Sequence, residues 1–274
     1  MLFCFGYGYV SRFIGTIGTS RTRQGENLFL YRGGPFSQDI LNALQESDSL
    51  LISIPPDQNG DLIVPYLKEI LPKVTHLKWI GYLSSTGVYG DHKGNWVDET
   101  SETNPNSPQG IARIKAEQQW LKLGEDANLP IHIFRLAGIY GPGRNVLENL
   151  KAGCAQRIFK EGVVFSRIHV EDIVQSLKAS IQAPHPGRIY NLADNEPASS
   201  HEIVAYGATL LRMEPPPLIP FEDASLTAMG RRFYQDSKRV KNDRLLKELV
   251  PSLLFPTYRE GLQEIALFAN KTID

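Results

Sequence analysis

The chain has 274 residues, which at about 150 residues per domain leaves room for one large or two unequal domains. Hydrophobic residues make up 42% and charged residues 22%, a balance that excludes a largely disordered chain. Lys plus Arg number 29 against 30 Asp plus Glu, so the net charge of −1 excludes an overall basic footprint for nucleic acid. The two cysteines, Cys4 and Cys154, exclude a disulfide framework, and a zinc site would need a different ligand set. No apolar stretch reaches the roughly 18 residues of a membrane span. Met1–Phe5 is followed too quickly by glycines to read as a signal peptide, so a cytoplasmic protein is expected.

Taken in chain order, Leu2–Phe5, Ser49–Ile54, His76–Leu83 and Ile131–Leu136 are short apolar runs that stop at Gly, Pro or Ser clusters. Such runs suit strands buried on both faces. Between them, Asp61–Leu71 and Ile111–Leu123 carry apolar residues near helical spacing. Strand–helix–strand alternation predicts an α/β fold, a parallel sheet with right-handed crossovers. In the last third, Pro184, Pro186, Pro197 and Pro215–Pro217 break the chain into short pieces. Val170–Ala183, His201–Arg212 and Asn242–Leu249 are the helix candidates there, and they predict a smaller α-rich lobe over the C-terminal edge of the sheet.

The first run enters Gly6-Tyr7-Gly8-Tyr9-Val10-Ser11. A strand, then G-x-G, then a helix is the context of dinucleotide binding. Gly6 permits the tight turn, Gly8 lets backbone approach a pyrophosphate, and the amides at Tyr9 and Val10 open the helix. Ser11 stands where a third glycine is usual. The second strand is expected to end near Ser20, Arg21 and Arg23, with no acidic residue to hold ribose hydroxyls. Arginine pairs with a 2′-phosphate, so NADP is expected over NAD, with NAD as the alternative coenzyme. The competing reading makes Arg21 and Arg23 solvated loop charges. Gly6 to Arg21 spans only 15 residues, short of the usual spacing of about 20. That spacing reads as residues missing from this sequence near Gly15 and Gln24; the alternative is a stunted first βαβ unit.

Further motifs read GYLSSTGVYG at 81–90, RLAGIYGPG at 135–143, FSRIHVEDI at 165–173 and YNLA at 190–193. In this order they resemble the extended short-chain dehydrogenase/reductase superfamily, the NAD(P)-dependent epimerase/dehydratase group. The resemblance spans nearly the whole chain. It implies a Rossmann-type doubly wound parallel sheet over residues 1–150, with returning segments around 163–195. A smaller α-rich C-terminal substrate lobe over 151–274 is implied as well. It also implies a small polar or nucleotide-sugar substrate and suggests a homodimer, while no nucleic acid or membrane partner is expected.

Ser85 matches the family's active-site serine, which binds the substrate carbonyl or alcohol; the alternative is that this hydroxyl only caps a turn. Ligands of open α/β sheets lie at the C-terminal strand ends. The expected coenzyme contacts there are Ser53, Ile54, Pro55, Ser84, Leu136 and Gly138. The family's proton carrier is a Tyr-x-x-x-Lys pair on the next long helix. Aligning that helix by Ala116-Glu117 puts Gln109 at the tyrosine position and Arg113 at the lysine position. Glutamine exchanges no proton at neutral pH, whereas Arg113 could hold a ribose or a phosphate. Lys115 is about 200° out of phase around the helix. An atypical oxidoreductase, epimerase or dehydratase is therefore expected, with Ser85 and Arg113 as its site residues. A non-catalytic NADP(H)-binding sensor or regulator is the alternative. Tyr82, Tyr89 and Tyr140 are candidate substitute acids, with packing the favoured reading for Tyr89 and Tyr140; His169 and Asp172 read as helix-start residues, with a cleft-facing His169 as the alternative. The basic run Arg231, Arg232, Lys238, Arg239, Lys241 and Arg244 reads as a solvated face, against a phosphate-binding alternative.

Overall fold

Each apolar run becomes a strand of one sheet, and the sheet takes in three further short segments. In the computed structural model, which describes residues 1–271, the strands are β1 (Leu2–Phe5), β2 (Ile17–Ser20), β3 (Leu28–Leu30), β4 (Ser49–Ile52), β5 (Trp79–Ser85), β6 (Ile131–Leu136) and β7 (Ile189–Leu192). They pair in parallel in the order β7-β6-β5-β4-β1-β2-β3. This is the doubly wound Rossmann order, which reverses direction between β1 and β4.

Alternation along each strand builds two apolar layers. Phe3, Phe5, Leu50, Ile52, Ile80, Tyr82, Ile131 and Ile133 face one layer. That layer is covered by α2 (Gln38–Gln45), α3 (Val64–Leu67) and α4 (Pro108–Ala127). Cys4, Leu51, Trp79, Leu83, Phe134 and Leu192 face the other, under α1 (Tyr9–Ile14) and α6 (Val170–Gln182). The Cys4 thiol is fully buried, and desolvation pushes its pKa up to about 12.

The cramped opening folds as a short βαβ unit. α1 is only six residues long and ends at Gly15 in the left-handed region. β1 and β2 nonetheless pair directly, Phe3 opposite Ile17 and Cys4 opposite Gly18. A Cβ at Gly18 would collide with the Cys4 carbonyl, so glycine is what lets the strands approach. The helix expected over Asp61–Leu71 shrinks to the single turn of α3 followed by a 3₁₀ turn at Leu71–Lys73. Pro65 and Pro72 lack the amides a longer helix needs, and the Asp61 carboxylate caps the Ile63 and Val64 amides at 2.8 and 3.1 Å. α4, by contrast, runs 20 residues from a Ser107 cap, with Pro108 at its first position.

The C-terminal segments add α5 (Val146–Lys151), α7 (Ser200–Leu210), α8 (Ala228–Phe233), α9 (Asp243–Glu248) and α10 (Tyr258–Lys271). Leu147, Ile203, Tyr258, Leu262 and Ile265 form a separate apolar cluster with Tyr140. Three two-stranded parallel ribbons tie this region to the sheet: Gly138–Tyr140 with Arg167–His169, Arg157–Phe159 with Leu218–Pro220, and Trp96–Val97 with Arg239–Val240. Among the described residues, no helix is long and apolar enough to cross a membrane.

Candidate functional site

The glycine turn sits where β1 meets the reversal of strand order. Gly6 has φ +94°, and a Cβ there would lie 3.0 Å from the Ile54 amide nitrogen. Its own amide donates to Thr19 Oγ1 at 2.9 Å, and the Tyr7 amide donates to the Thr19 carbonyl at 2.7 Å. Gly8 is the N-cap of α1 and offers no capping side chain, so nothing from its own residue occupies the first amides of the helix. A Cβ at Gly8 would meet no protein atom closer than 3.8 Å, so the fold itself does not require glycine there. Val10 is buried in the core. The Ser11 hydroxyl is buried beside Cys4 Sγ at 2.9 Å and donates to the Gly6 carbonyl at 3.3 Å, which braces the turn from below. Tyr9 is committed elsewhere: its hydroxyl donates to the Pro142 carbonyl at 2.9 Å. Arg144 lies 5.6 Å from the Tyr9 ring and brings a cation beside the start of α1. Sequence reasoning missed Arg144; its signal was its position directly after the Gly141-Pro142-Gly143 turn.

The neighbouring strand ends complete this crevice. The Ser53 amide donates to the Phe5 carbonyl at 2.8 Å, so Ser53, Ile54 and Pro55 leave β4 alongside the glycine turn. Ser20 Oγ accepts from the Thr22 and Arg23 amides at 3.3 and 3.1 Å and folds the chain beyond β2. Its hydroxyl thereby shapes the loop that carries the arginines. Arg21 and Arg23 are exposed, and among the described residues neither guanidinium has a protein partner. An uncapped helix start, a glycine without a packing role and two unpartnered arginines at the neighbouring strand end fit a dinucleotide.

A second feature lies at the ends of β5 and β6. A cavity of about 240 Å³ is lined by Ser85, Thr86 and Gly87 on one side and by Leu136, Ala137 and Gly138 on another. Phe165, Phe233, Asp236 and Lys238 from the C-terminal region close it. Ser85 Oγ accepts from the Gly87 amide at 3.1 Å, which leaves its O–H free to donate to a bound oxygen. Ser84 points the other way, as pleating demands. Its hydroxyl donates to Glu117 Oε1 at 2.5 Å inside the protein.

Glu117 also pairs with Arg135 at 2.8 Å, and both side chains are buried. Arg135 Nη1 donates to the Tyr89 hydroxyl at 3.0 Å, which donates to Asn191 Oδ1 at 2.7 Å. Burial works against the Arg135 charge, but the hydrogen bonds and charge of Glu117 outweigh it and raise its pKa. Burial is also what raises Tyr89. This network joins α4, β5, β6 and β7 beneath the Ser85 turn and accounts for Tyr89 as a structural hydroxyl.

The structure does not bring Arg113 into the cavity. Its guanidinium donates to the Leu83 carbonyl and lies 5.8 Å from the Tyr82 ring. Gln109 is exposed, and Lys115 reaches the Gln58 carbonyl at 2.9 Å on another side of α4. Tyr82 and Tyr140 are buried and their pKa values rise through desolvation, and His169 caps α6 by accepting from the Glu171 amide. Three of the six residues in the basic run serve the fold. Arg231 donates to the Ala224 carbonyl, Arg239 to Gly94 and Arg244 to Ile189. Lys238 differs, because it lines the cavity. Sequence reasoning folded it into a solvated face.

A doubly wound sheet with a glycine turn at its switch point defines a Rossmann-type fold. Residues 73–193 match the model of the NAD dependent epimerase/dehydratase family. That match takes in less than half of the chain. It is 34% identical over 187 residues to the protein YeeZ of Escherichia coli K12, a match covering 65% of this chain. The chain spans about 64% of the length of that curated relative. A solved protein of unknown function from Silicibacter pomeroyi is 42% identical, covers 98% of both chains and superposes with a TM-score of 0.87. A dTDP-glucose 4,6-dehydratase from Bacillus anthracis, solved in complex with NAD, is 17% identical. It covers 98% of this chain and 96% of its own, with a TM-score of 0.77, and shows likeness of fold.

Proposed function

We propose that the chain binds NADP in the glycine-turn crevice and acts as an oxidoreductase, epimerase or dehydratase on a nucleotide sugar or similar small polar substrate. The observation that carries this reading is the cavity shared by Ser85 and the Leu136–Gly138 backbone, alongside a glycine turn whose helix start is uncapped. Gly6 and Gly8 give the pyrophosphate room, and the amides opening α1 supply donors to it. Arg21 and Arg23 hold the 2′-phosphate that distinguishes NADP from NAD. Bound nicotinamide supplies hydride acceptance and return. Ser85 donates its hydroxyl hydrogen to the substrate oxygen undergoing oxidation or reduction. Leu136, Ala137 and Gly138 wall the cavity. Arg113 holds the end of β5 through the Leu83 carbonyl, so it positions Ser85 instead of gripping a ligand. A family dehydratase with NAD and the nucleotide-sugar names among similar proteins support the substrate class.

A second reading is favoured by one observation. Gln109, which aligns with the family's tyrosine position, has no group that titrates near neutral pH and so cannot act as an acid or base, which suits an NADP(H)-binding sensor that catalyses nothing. The two readings separate in one experiment: coenzyme absorbance at 340 nm, a property of reduced nicotinamides, followed with UDP- and dTDP-sugars. For dehydratase or epimerase chemistry without net redox change, product is followed by chromatography. Turnover lost in Ser85→Ala supports the enzyme. Tight NADPH binding with no product from any sugar supports the sensor. A cytoplasmic homodimer is the assembly we propose, to be checked by light scattering.

A further inference from the structure

Lys238 reaches the Ser85 cavity through a tightly clamped backbone. The His92 and Gly94 amides both donate to the Ser237 carbonyl, at 3.1 and 2.9 Å. The Ser237 amide donates to Asp91 Oδ1 at 2.9 Å, and the Val240 amide donates to Ser166 Oγ at 3.0 Å. The side chain between these anchors is only 11% exposed. Nζ donates to the Gly90 carbonyl at 2.7 Å. Gly90 ends the 3₁₀ turn that Ser85 begins, so one short turn carries the serine at its start and holds the lysine at its end. Asp236 Oδ2 lies 3.8 Å from Nζ. An ammonium has three hydrogens. Gly90 takes one and Asp236 attracts another, which leaves the third for whatever enters the cavity. Among the described residues lining that cavity, Lys238 is the only cation.

We propose that Lys238 is the proton donor to the substrate oxygen held by Ser85, in place of the tyrosine that position 109 lacks. This rests on the reading of the site as nicotinamide-dependent. In the reducing direction the reductant is a reduced nicotinamide coenzyme, and the substrate carbonyl carbon gains hydride. The carbonyl π pair moves onto oxygen and forms an O–H bond with the Nζ proton. The N–H bond breaks and its electron pair stays on nitrogen as a neutral amine, which solvent reprotonates. Burial lowers the lysine's pKa, while the Asp236 and Asp91 carboxylates that face it pull in the opposite direction. The net lowering eases loss of the proton.

The test is competitive acetylation of the full chain with trace acetic anhydride from pH 6 to 11, read by peptide mass spectrometry with and without NADPH. Coenzyme binding is followed in parallel by fluorescence. Lys238 is expected to titrate below the ordinary lysine range, and saturating NADPH is expected to slow its acetylation at least fivefold. Lys238→Arg, which keeps the charge but holds its proton, is expected to retain NADPH affinity within twofold. Three results overturn the assignment while coenzyme binds: titration of Lys238 at or above the ordinary lysine range, no protection by NADPH, or no acetylation at any pH. Absence of coenzyme binding in the wild-type chain overturns the functional reading itself, and the assignment with it.

Discussion

Replacing Glu117 by glutamine tests the network under the Ser85 turn. Glu117 accepts from Ser84 Oγ at 2.5 Å, from Arg135 Nε at 3.1 Å and from Arg135 Nη2 at 2.8 Å. The Arg135 and Glu117 side chains are 6% and 5% exposed, so solvent screens neither charge. Glutamine keeps the shape but strands the Arg135 cation and turns an amide group toward existing donors. Breaking a buried pair from one side costs about 3–5 kcal/mol. For a chain of this size that corresponds to a fall in Tm of roughly 6–15 °C, at about 2–3 °C per kcal/mol. Urea unfolding followed by circular dichroism reads the loss directly. The double substitution Glu117→Leu with Arg135→Met removes both charges and is expected to recover most of the stability, because the desolvation cost disappears with the pair. Glu117→Gln within about 1 kcal/mol of wild type, on the scale of an exposed pair, would refute the argument. So would a double variant no more stable than the sum of the singles.

Gly6→Ala is expected to destabilise by about 1–3 kcal/mol, because φ is +94° and Ile54 crowds the new carbon. Gly8→Ala is expected to stay within about 1 kcal/mol of wild type yet bind NADPH at least tenfold more weakly, which thermal melts and titration distinguish. Arg21→Ala with Arg23→Ala is expected to weaken NADPH and leave NADH unchanged; equal loss for both coenzymes argues against a 2′-phosphate role. Burial raises the Asp194 carboxyl to about 8, above the unfolded value near 4, so its contribution to stability is complete below the unfolded pKa and fades as pH rises toward 8. Asp194→Asn is therefore expected to gain stability relative to wild type between pH 4 and 8 and to hold that gain above it. A difference that is flat across this range contradicts the sign. For any nucleotide sugar turned over, Lys238→Arg is expected to cost about 10²-fold or more in rate, the usual worth of a positioned acid.

The strands nearest the site were legible because each is a short apolar run closed by Gly, Pro or Ser. β1 and β6 fall where those runs predict, at Leu2–Phe5 and Ile131–Leu136. β3 is only three residues long and becomes visible through its pairing with β2, whereas α2 carries an amphipathic pattern, Ile40, Ala43 and Leu44, that went unread between the stronger runs. Spacing alone does not reveal that Gly18 permits the short-linked β2 to sit against Cys4. Ser85 was readable from a local motif. Its neighbour in sequence, Ser84, turned inward because the pleat alternates, a consequence of register that a motif does not display. Lys238 was hidden in a charge run. The carbonyl that holds it, Gly90, is 148 positions away in the chain. Arg113 was drawn toward the ligand by alignment to a lysine, whereas its planar fork finds a nearer acceptor at the end of β5.

Isothermal titration of the wild-type chain and Gly8→Ala with NADPH and NADH tests the central claim most directly. Wild type is expected to bind NADPH more tightly than NADH, and a folded Gly8→Ala is expected to lose most of that affinity. Wild-type chain that is folded yet gives no binding with either coenzyme at millimolar concentration contradicts the account.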